Sequence, residues 1–245
     1  MKALISKLLP ASLIRGLKRA TRWPPVGRVD FGALRRLTPV SNDFGLERGR
    51  PIDRFYIERF LEANAEDITG HVLEVATDEY TRRFGGPRVE HTDVLHVSER
   101  LPGVTIVTDL TQAEALPPGV FDCVILTQTL QFIFDVHAAL TNVSRALKPG
   151  GVLLATVPGI SQVSRHDERR WGDYWRFTTQ SARRLTEQAF PGDRIVVECA
   201  GNVLSSIAFL HGMAVEELEI DELEHRDPEY PLLITIRAQK PGGPE

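Results

Sequence analysis

Between Val120 and Phe132 the chain reads Val-Phe-Asp-Cys-Val-Ile-Leu-Thr-Gln-Thr-Leu-Gln-Phe, with apolar residues at successive rather than alternate positions. A run with no polar face to offer water predicts a strand buried on both sides, as in a parallel sheet. Val136, Leu140, Val143 and Leu147 then recur at helical spacing. A Lys148-Pro149-Gly150-Gly151 turn leads into a second buried strand, Val152 to Pro158. The unit is therefore strand, helix, strand.

The same pattern extends in both directions. Pro51 suits a first helical turn, and Ile52, Phe55, Tyr56, Phe60 and Leu61 predict an amphipathic helix over 51–65. Strands are expected at Val72–Ala76, Val89–Val97 and Val104–Val107, with a helical or irregular stretch around Tyr80–Phe84. Beyond Pro158 comes a polar, aromatic, charge-dense insertion reaching Phe177. It is followed by a helix capped at Thr178 or Thr179, a strand at Ile195–Cys199, a helix at Val203–His211 and a last strand at Leu232–Ala238. Strand–helix alternation of this kind predicts an α/β protein with a doubly wound, Rossmann-like sheet. The organisation expected is a basic extension over 1–43, one domain over 44–240 and a tail over 241–245.

Composition narrows the function. A formal net charge of −4 gives no general attraction to nucleic acid. The two cysteines, Cys123 and Cys199, fall in predicted core strands and read as reduced packing residues, in keeping with a cytoplasmic location. No CxxC or Cys/His cluster calls for a metal. No apolar run approaches the roughly 18–20 residues of a membrane span. Residues 1–22 carry Lys2, Lys7, Arg15, Lys18, Arg19 and Arg22 and no acid, among apolar stripes around Pro10. They predict either an amphipathic element for peripheral contact with an anionic inner membrane face or a partner, or a cover for the domain's own edge.

The Phe121-Asp122 strand, the helix after it and the Leu147-Lys148-Pro149-Gly150-Gly151-Val152-Leu153-Leu154 stretch strongly resemble the fourth and fifth strands of class I S-adenosylmethionine-dependent methyltransferases. The resemblance, to the type 11-like group, implies a seven-stranded sheet whose last strand is antiparallel. It implies S-adenosylmethionine as cofactor at the carboxyl ends of the strands. Carried over by position, Glu74, Val75, Ala76 and Thr77 form the first-strand loop, where this chain keeps the acid but lacks the family's glycines. Asp93 is the second-strand acid for the ribose, although Leu95-His96 also marks a strand end. Asp109 and Leu110 meet the adenine, and Thr127 and Gln128 line the sulfonium pocket. The 44–56 segment resembles an entry segment of bacterial relatives, which adds Asp53, Arg54 and Tyr56 as candidate contacts to the cofactor.

The acceptor side is expected in the insertion, whose His166-Asp167 and Trp171-Gly172-Asp173-Tyr174-Trp175-Arg176-Phe177-Thr178 resemble segments of bacterial sugar- and glycan-associated methyltransferases. Trp171, Tyr174 and Trp175 offer flat faces to a sugar, and Arg176 offers directional hydrogen bonds. His166 is the expected general base because imidazole titrates near neutrality, with Asp167 or Asp173 orienting or replacing it. The fourth strand lacks the Asn/Asp-Pro-Pro-aromatic motif of amino-group nucleic-acid methyltransferases. The expected activity is thus O-methylation of a sugar, glycoside or other small-molecule hydroxyl. The competing readings are a different reaction on the same fold, such as cyclisation or elimination, and a non-catalytic partner in a glycan or natural-product pathway.

Overall fold

A computed structural model describes residues 10, 13, 23–192 and 194–242. The expected membrane or partner contact of residues 1–22 therefore falls, apart from Pro10 and Leu13, outside the described residues. The chain divides into two units, 1–38 and 39–245. In the first, a 3-10 turn at Gly32–Leu34 follows Asp30, whose carboxylate accepts from Gly32 N. None of the described helices is long and apolar enough to cross a membrane.

The second unit opens with Val40 and Ser41, whose N–H groups donate to His211 O. Helix α1, Ile52–Ala63, follows Pro51 and is succeeded by β1, Gly70–Val75. Then come β2, Val89–His96, the short β3, Ile106–Val107, and β4, Phe121–Thr127. Helix α2, Val136–Ala146, leads into β5, Leu147–Pro158, and the brief α3, Arg165–Glu168. The remainder is α4, Thr179–Ala189; β6, Ile195–Ala200; α5, Val203–Leu210; α6, Ile220–Glu224; and β7, Leu233–Gln239.

The seven strands lie in the order β3-β2-β1-β4-β5-β7-β6. Pairing is parallel from β3 to β5, and β7 runs antiparallel to both β5 and β6. This is the class I methyltransferase fold. The alternation of side chains along a strand explains why the central strands read as continuous apolar runs. On β4, Val124 and Leu126 face a core shared with α2 and α4, while Cys123 and Ile125 face a second core built on α1. β1 divides the same way at Leu73 and Val72, and β5 at Leu153 and Leu154.

Helices α2, α4 and α5 begin where the local sequence provides a partner for their free N–H groups. Asp135 accepts from Ala138 N at the start of α2, and Thr178 and Ser181 form a reciprocal capping box at α4. Asn202 and Ser205 do the same at α5. Arg237 on β7 donates to both oxygens of Asp67 at 2.7 and 2.8 Å, tying β7 to the turn before β1.

Candidate active site

The order reverses between β1 and β4, and the carboxyl ends of the strands open there into a cleft of about 1470 Å³. Its walls come from the loop after β1, the ends of β2 and β4, the turn after β3 and the insertion after β5. A cleft of this size exceeds the roughly 300–1,000 Å³ of a single-ligand site.

At the end of β1, Ala76 has φ 71, the left-handed region in which glycine is free and alanine is strained. The loop thus follows a glycine's path without a glycine. Glu74, 2% exposed, explains how that path is held. One carboxylate oxygen accepts from Tyr80 N at 3.2 Å, and the other accepts from Thr81 N and Oγ1, both at 2.7 Å. Burial pushes the Glu74 carboxyl above its ordinary value, against the pull of the Thr81 and Tyr80 hydrogen bonds. Glu74 borders the cleft, yet its oxygens are spent on its own loop. A second left-handed residue, Gln128 at φ 47, stands across the cleft at the end of β4. Gln131 Nε2 donates to its carbonyl at 2.9 Å. Strain concentrated at two adjacent strand ends is the pattern of a ligand site.

Of the expected cofactor residues, Arg54, Glu74, Val75, Ala76, Thr77, Asp109, Leu110, Thr127 and Gln128 line this cleft. Asp109 also makes a turn, its Oδ1 accepting from Thr111 N and Oγ1 at 2.8 Å, which leaves Oδ2 for a ligand. Other expectations require correction. Asp93 sits three residues before the end of β2, and its carboxylate is engaged with His71 and Thr105. The residue at the strand end is His96, whose Nδ1 lies 2.9 Å from Ser98 O, while its ring stands edge-on to Trp171. Tyr56 faces the core under α1 and donates to Leu223 O at 2.9 Å, away from the cleft.

On the acceptor side, Trp171, Tyr174, His166 and Asp167 line the cleft as expected. Asp173 and Arg176 instead line a smaller neighbouring cavity, and the Asp173 carboxylate, expected to be catalytic, is held in structural contacts. The Asp173 side chain is 1% exposed, and it accepts from Ser164 N at 2.9 Å and from the Arg176 guanidinium at 2.6 and 2.9 Å. Arg176 donates further to Ser161 O and Gln162 O, so the two residues clasp the insertion shut. Trp175 is turned from the cleft, its Nε1 donating to Ile133 O at 3.1 Å and Phe134 O at 3.2 Å.

A smaller cavity of about 440 Å³ adjoins the cleft and shares Arg54, Gln128, Phe132, His166 and Asp167 with it. Phe44, Leu46, Pro158, Phe209 and Leu232 make its walls largely apolar. Two buried oxygens on its lining residues, Asp53 Oδ1 and Gln131 Oε1, have no hydrogen-bond partner among the described residues. Burial raises the Asp53 carboxyl above its ordinary value, only partly offset by Arg54. Asp53 belongs to the Pro51-Ile52-Asp53-Arg54 helix start; expected at the cofactor, it lines this smaller cavity instead of the larger cleft.

Residues 65–155, from before β1 through most of β5, match the family model described as a methyltransferase domain. That stretch of the chain is thus similar to a methyltransferase domain. Solved structures share its fold at low identity. An Archaeoglobus fulgidus S-adenosylmethionine-dependent methyltransferase is 12% identical, with TM-score 0.51 over 76% of this chain and 94% of the other. The Bradyrhizobium japonicum N-methyltransferase NodS, bound to S-adenosylhomocysteine, is 16% identical, with TM-score 0.51 over 83% and 95%. The [4+2]-cyclase SpnF is also 16% identical, with TM-score 0.51 over 76% and 82%. No curated protein matches the chain in sequence.

The cofactor of the methyltransferase domain is S-adenosylmethionine, and the cleft offers donors and acceptors in the places it needs. Ala76 holds the backbone turn that a glycine would otherwise make, Asp109 keeps one carboxylate oxygen free for an amine donor, and His96 stands at the end of β2. An imidazole there can pair with ribose hydroxyls in place of a carboxylate. Arg54 supplies a cation near the β1 loop for a carboxylate.

Proposed function

We propose that the protein is an S-adenosylmethionine-dependent O-methyltransferase whose acceptor, a sugar, glycoside or similar small hydroxyl compound, binds in the smaller cavity. The observation that carries this reading is the pair of buried oxygens, Asp53 Oδ1 and Gln131 Oε1, which have no partner among the described residues and belong to residues lining a cavity bordered by Gln128. A buried acceptor atom without a donor costs about 1–3 kcal/mol, a cost recovered when a ligand brings the donor. Two such atoms call for a molecule with two donors, such as neighbouring hydroxyls, between apolar walls.

S-adenosylmethionine supplies the electrophilic methyl group. The chain's own residues hold the acceptor and move its proton. Gln131 orients one hydroxyl. Asp53, raised in pKa by burial, accepts the proton of the hydroxyl that is methylated. Gln128, Phe132 and Arg54 border both cavities and hold the two ligands against each other, the positioning that contributes most of the rate. His166 is the competing base: it lies at the shared mouth, its Nδ1 3.3 Å from Asp167 Oδ1. An N–H acceptor would satisfy the same oxygens, and neighbouring folds include an N-methyltransferase.

The test is methyl transfer from labelled S-adenosylmethionine to a panel of monosaccharides, methyl glycosides and phenols, followed by the pH profile of kcat/KM on the best acceptor. Only ionised Asp53 accepts a proton, so the rate should fall as pH drops through its raised value. Asp53→Asn should remove that limb and lower kcat/KM by about 10²–10⁴. If His166→Ala removes it instead, the proton goes to His166. Cofactor binding without turnover on any acceptor, amines included, would overturn the methyl-transfer reading.

A further inference from the structure

His71, His91 and Asp93 play no part in either cavity. His91 and Asp93 are two residues apart on β2, so the pleat sets both side chains on one face. His71 on β1 is in register with His91 and shares that face. It is the face of Leu73 and Leu95, nearer the start of the strands. Asp93 precedes His96 by three residues, about 10 Å of strand from the cleft.

Both imidazoles address one carboxylate oxygen. His71 Nε2 is 2.7 Å from Asp93 Oδ2 and His91 Nε2 is 3.7 Å from it, and one ligand atom from each of the three residues lies within 4.8 Å of the others. Zinc bonds of about 2.0–2.2 Å in tetrahedral geometry place donor atoms about 3.4 Å apart, between the two observed separations. Thr105 Oγ1 donates to Asp93 Oδ1 at 2.6 Å, the outer hydrogen bond that orients a ligating carboxylate. Asp122, which accepts from His71 N, is neutralised by Lys148 at 2.7 Å. A plain histidine–aspartate hydrogen bond accounts for His71 but gives His91 no role.

We propose that His71, His91 and Asp93 are a three-ligand site for a divalent transition ion of the zinc class, bridging β1 and β2 and leaving the remaining coordination position to water. Two imidazoles and one carboxylate suit such an ion rather than calcium or magnesium, which prefer oxygen alone. Backbone pairing sets the donor spacing in advance, so little ordering is left to binding.

The untagged full-length protein, stripped with chelator, would be titrated with zinc chloride by calorimetry and with cobalt chloride by absorption. One equivalent should bind, cobalt should show the intense visible bands of tetrahedral coordination, and zinc should raise the Tm. His91 is 64% exposed at its side chain, so His91→Ala should fold normally and lose at least tenfold in zinc affinity. S-adenosylhomocysteine binding should be unchanged in the same variant. Absence of a one-equivalent site, or equal zinc affinity in His91→Ala, would overturn the proposal.

Discussion

Ala76 and Asp53 are both placed against local preference, and each has a measurable consequence. An alanine at φ 71 already carries about 1–2 kcal/mol of left-handed strain, and a β-branched residue there is worse. Ala76→Val should therefore lower stability by about 1–2 kcal/mol in chemical denaturation and weaken S-adenosylmethionine binding in calorimetry. Ala76→Gly should preserve both. Asp53 acts in the opposite direction on stability. Its native pKa is raised, so between the unfolded value near 3.9 and the native one the folded state binds more protons, and stability falls as pH rises. Asp53→Asn should match the wild-type protein below about pH 4 and exceed it at neutrality by about 1 kcal/mol. A variant that is more stable and less active is what a residue kept for function predicts.

Among elements, the segment between β5 and α4 depends most on a single pair. Asp173 and Arg176 close it, while Tyr174 N donates to Gln131 O and Phe177 N to Pro158 O. The pair is a stability feature that presents Trp171, His166 and Asp167 to the cleft. Arg176→Ala leaves a carboxylate 1% exposed without its cation. Since Arg176 is itself 26% exposed, the expected loss is about 2–3 kcal/mol, below that of a fully buried pair. Trypsin should cut the variant faster at Arg165, Arg169 and Arg170, read by mass spectrometry. Unchanged cleavage would show that the other contacts suffice.

For the whole molecule, both cavities draw their described lining from residue 43 onward, and both cores lie within 39–245. A fragment of residues 39–245 should unfold in one cooperative transition and bind S-adenosylmethionine with the affinity of the full chain. A loss of binding would assign residues 1–38 a role in the site.

The sequence by itself determined the sheet. Runs such as Cys123-Val124-Ile125-Leu126 are apolar on both faces and can only be buried between two layers, and their alternation with helical periods leaves few topologies. It also located the strand ends, and the family resemblance then put Thr77, Asp109, Thr127 and Gln128 at the cleft, where the structure has them. Tertiary structure decided what each polar side chain does there. Asp173 and Glu74 carry the same chemistry as a catalytic acid, but donors on neighbouring segments occupy their oxygens. Asp53 is expected beside the cofactor, but packing puts it on the smaller cavity, with an oxygen that has no hydrogen-bond partner among the described residues. His96 rather than Asp93 stands at the cleft because strand register, which composition does not encode, fixes the residue at the end of β2. That same register brings His71 beside His91 from twenty residues away. A side chain's chemistry is local, but its partners are set by packing across the whole fold.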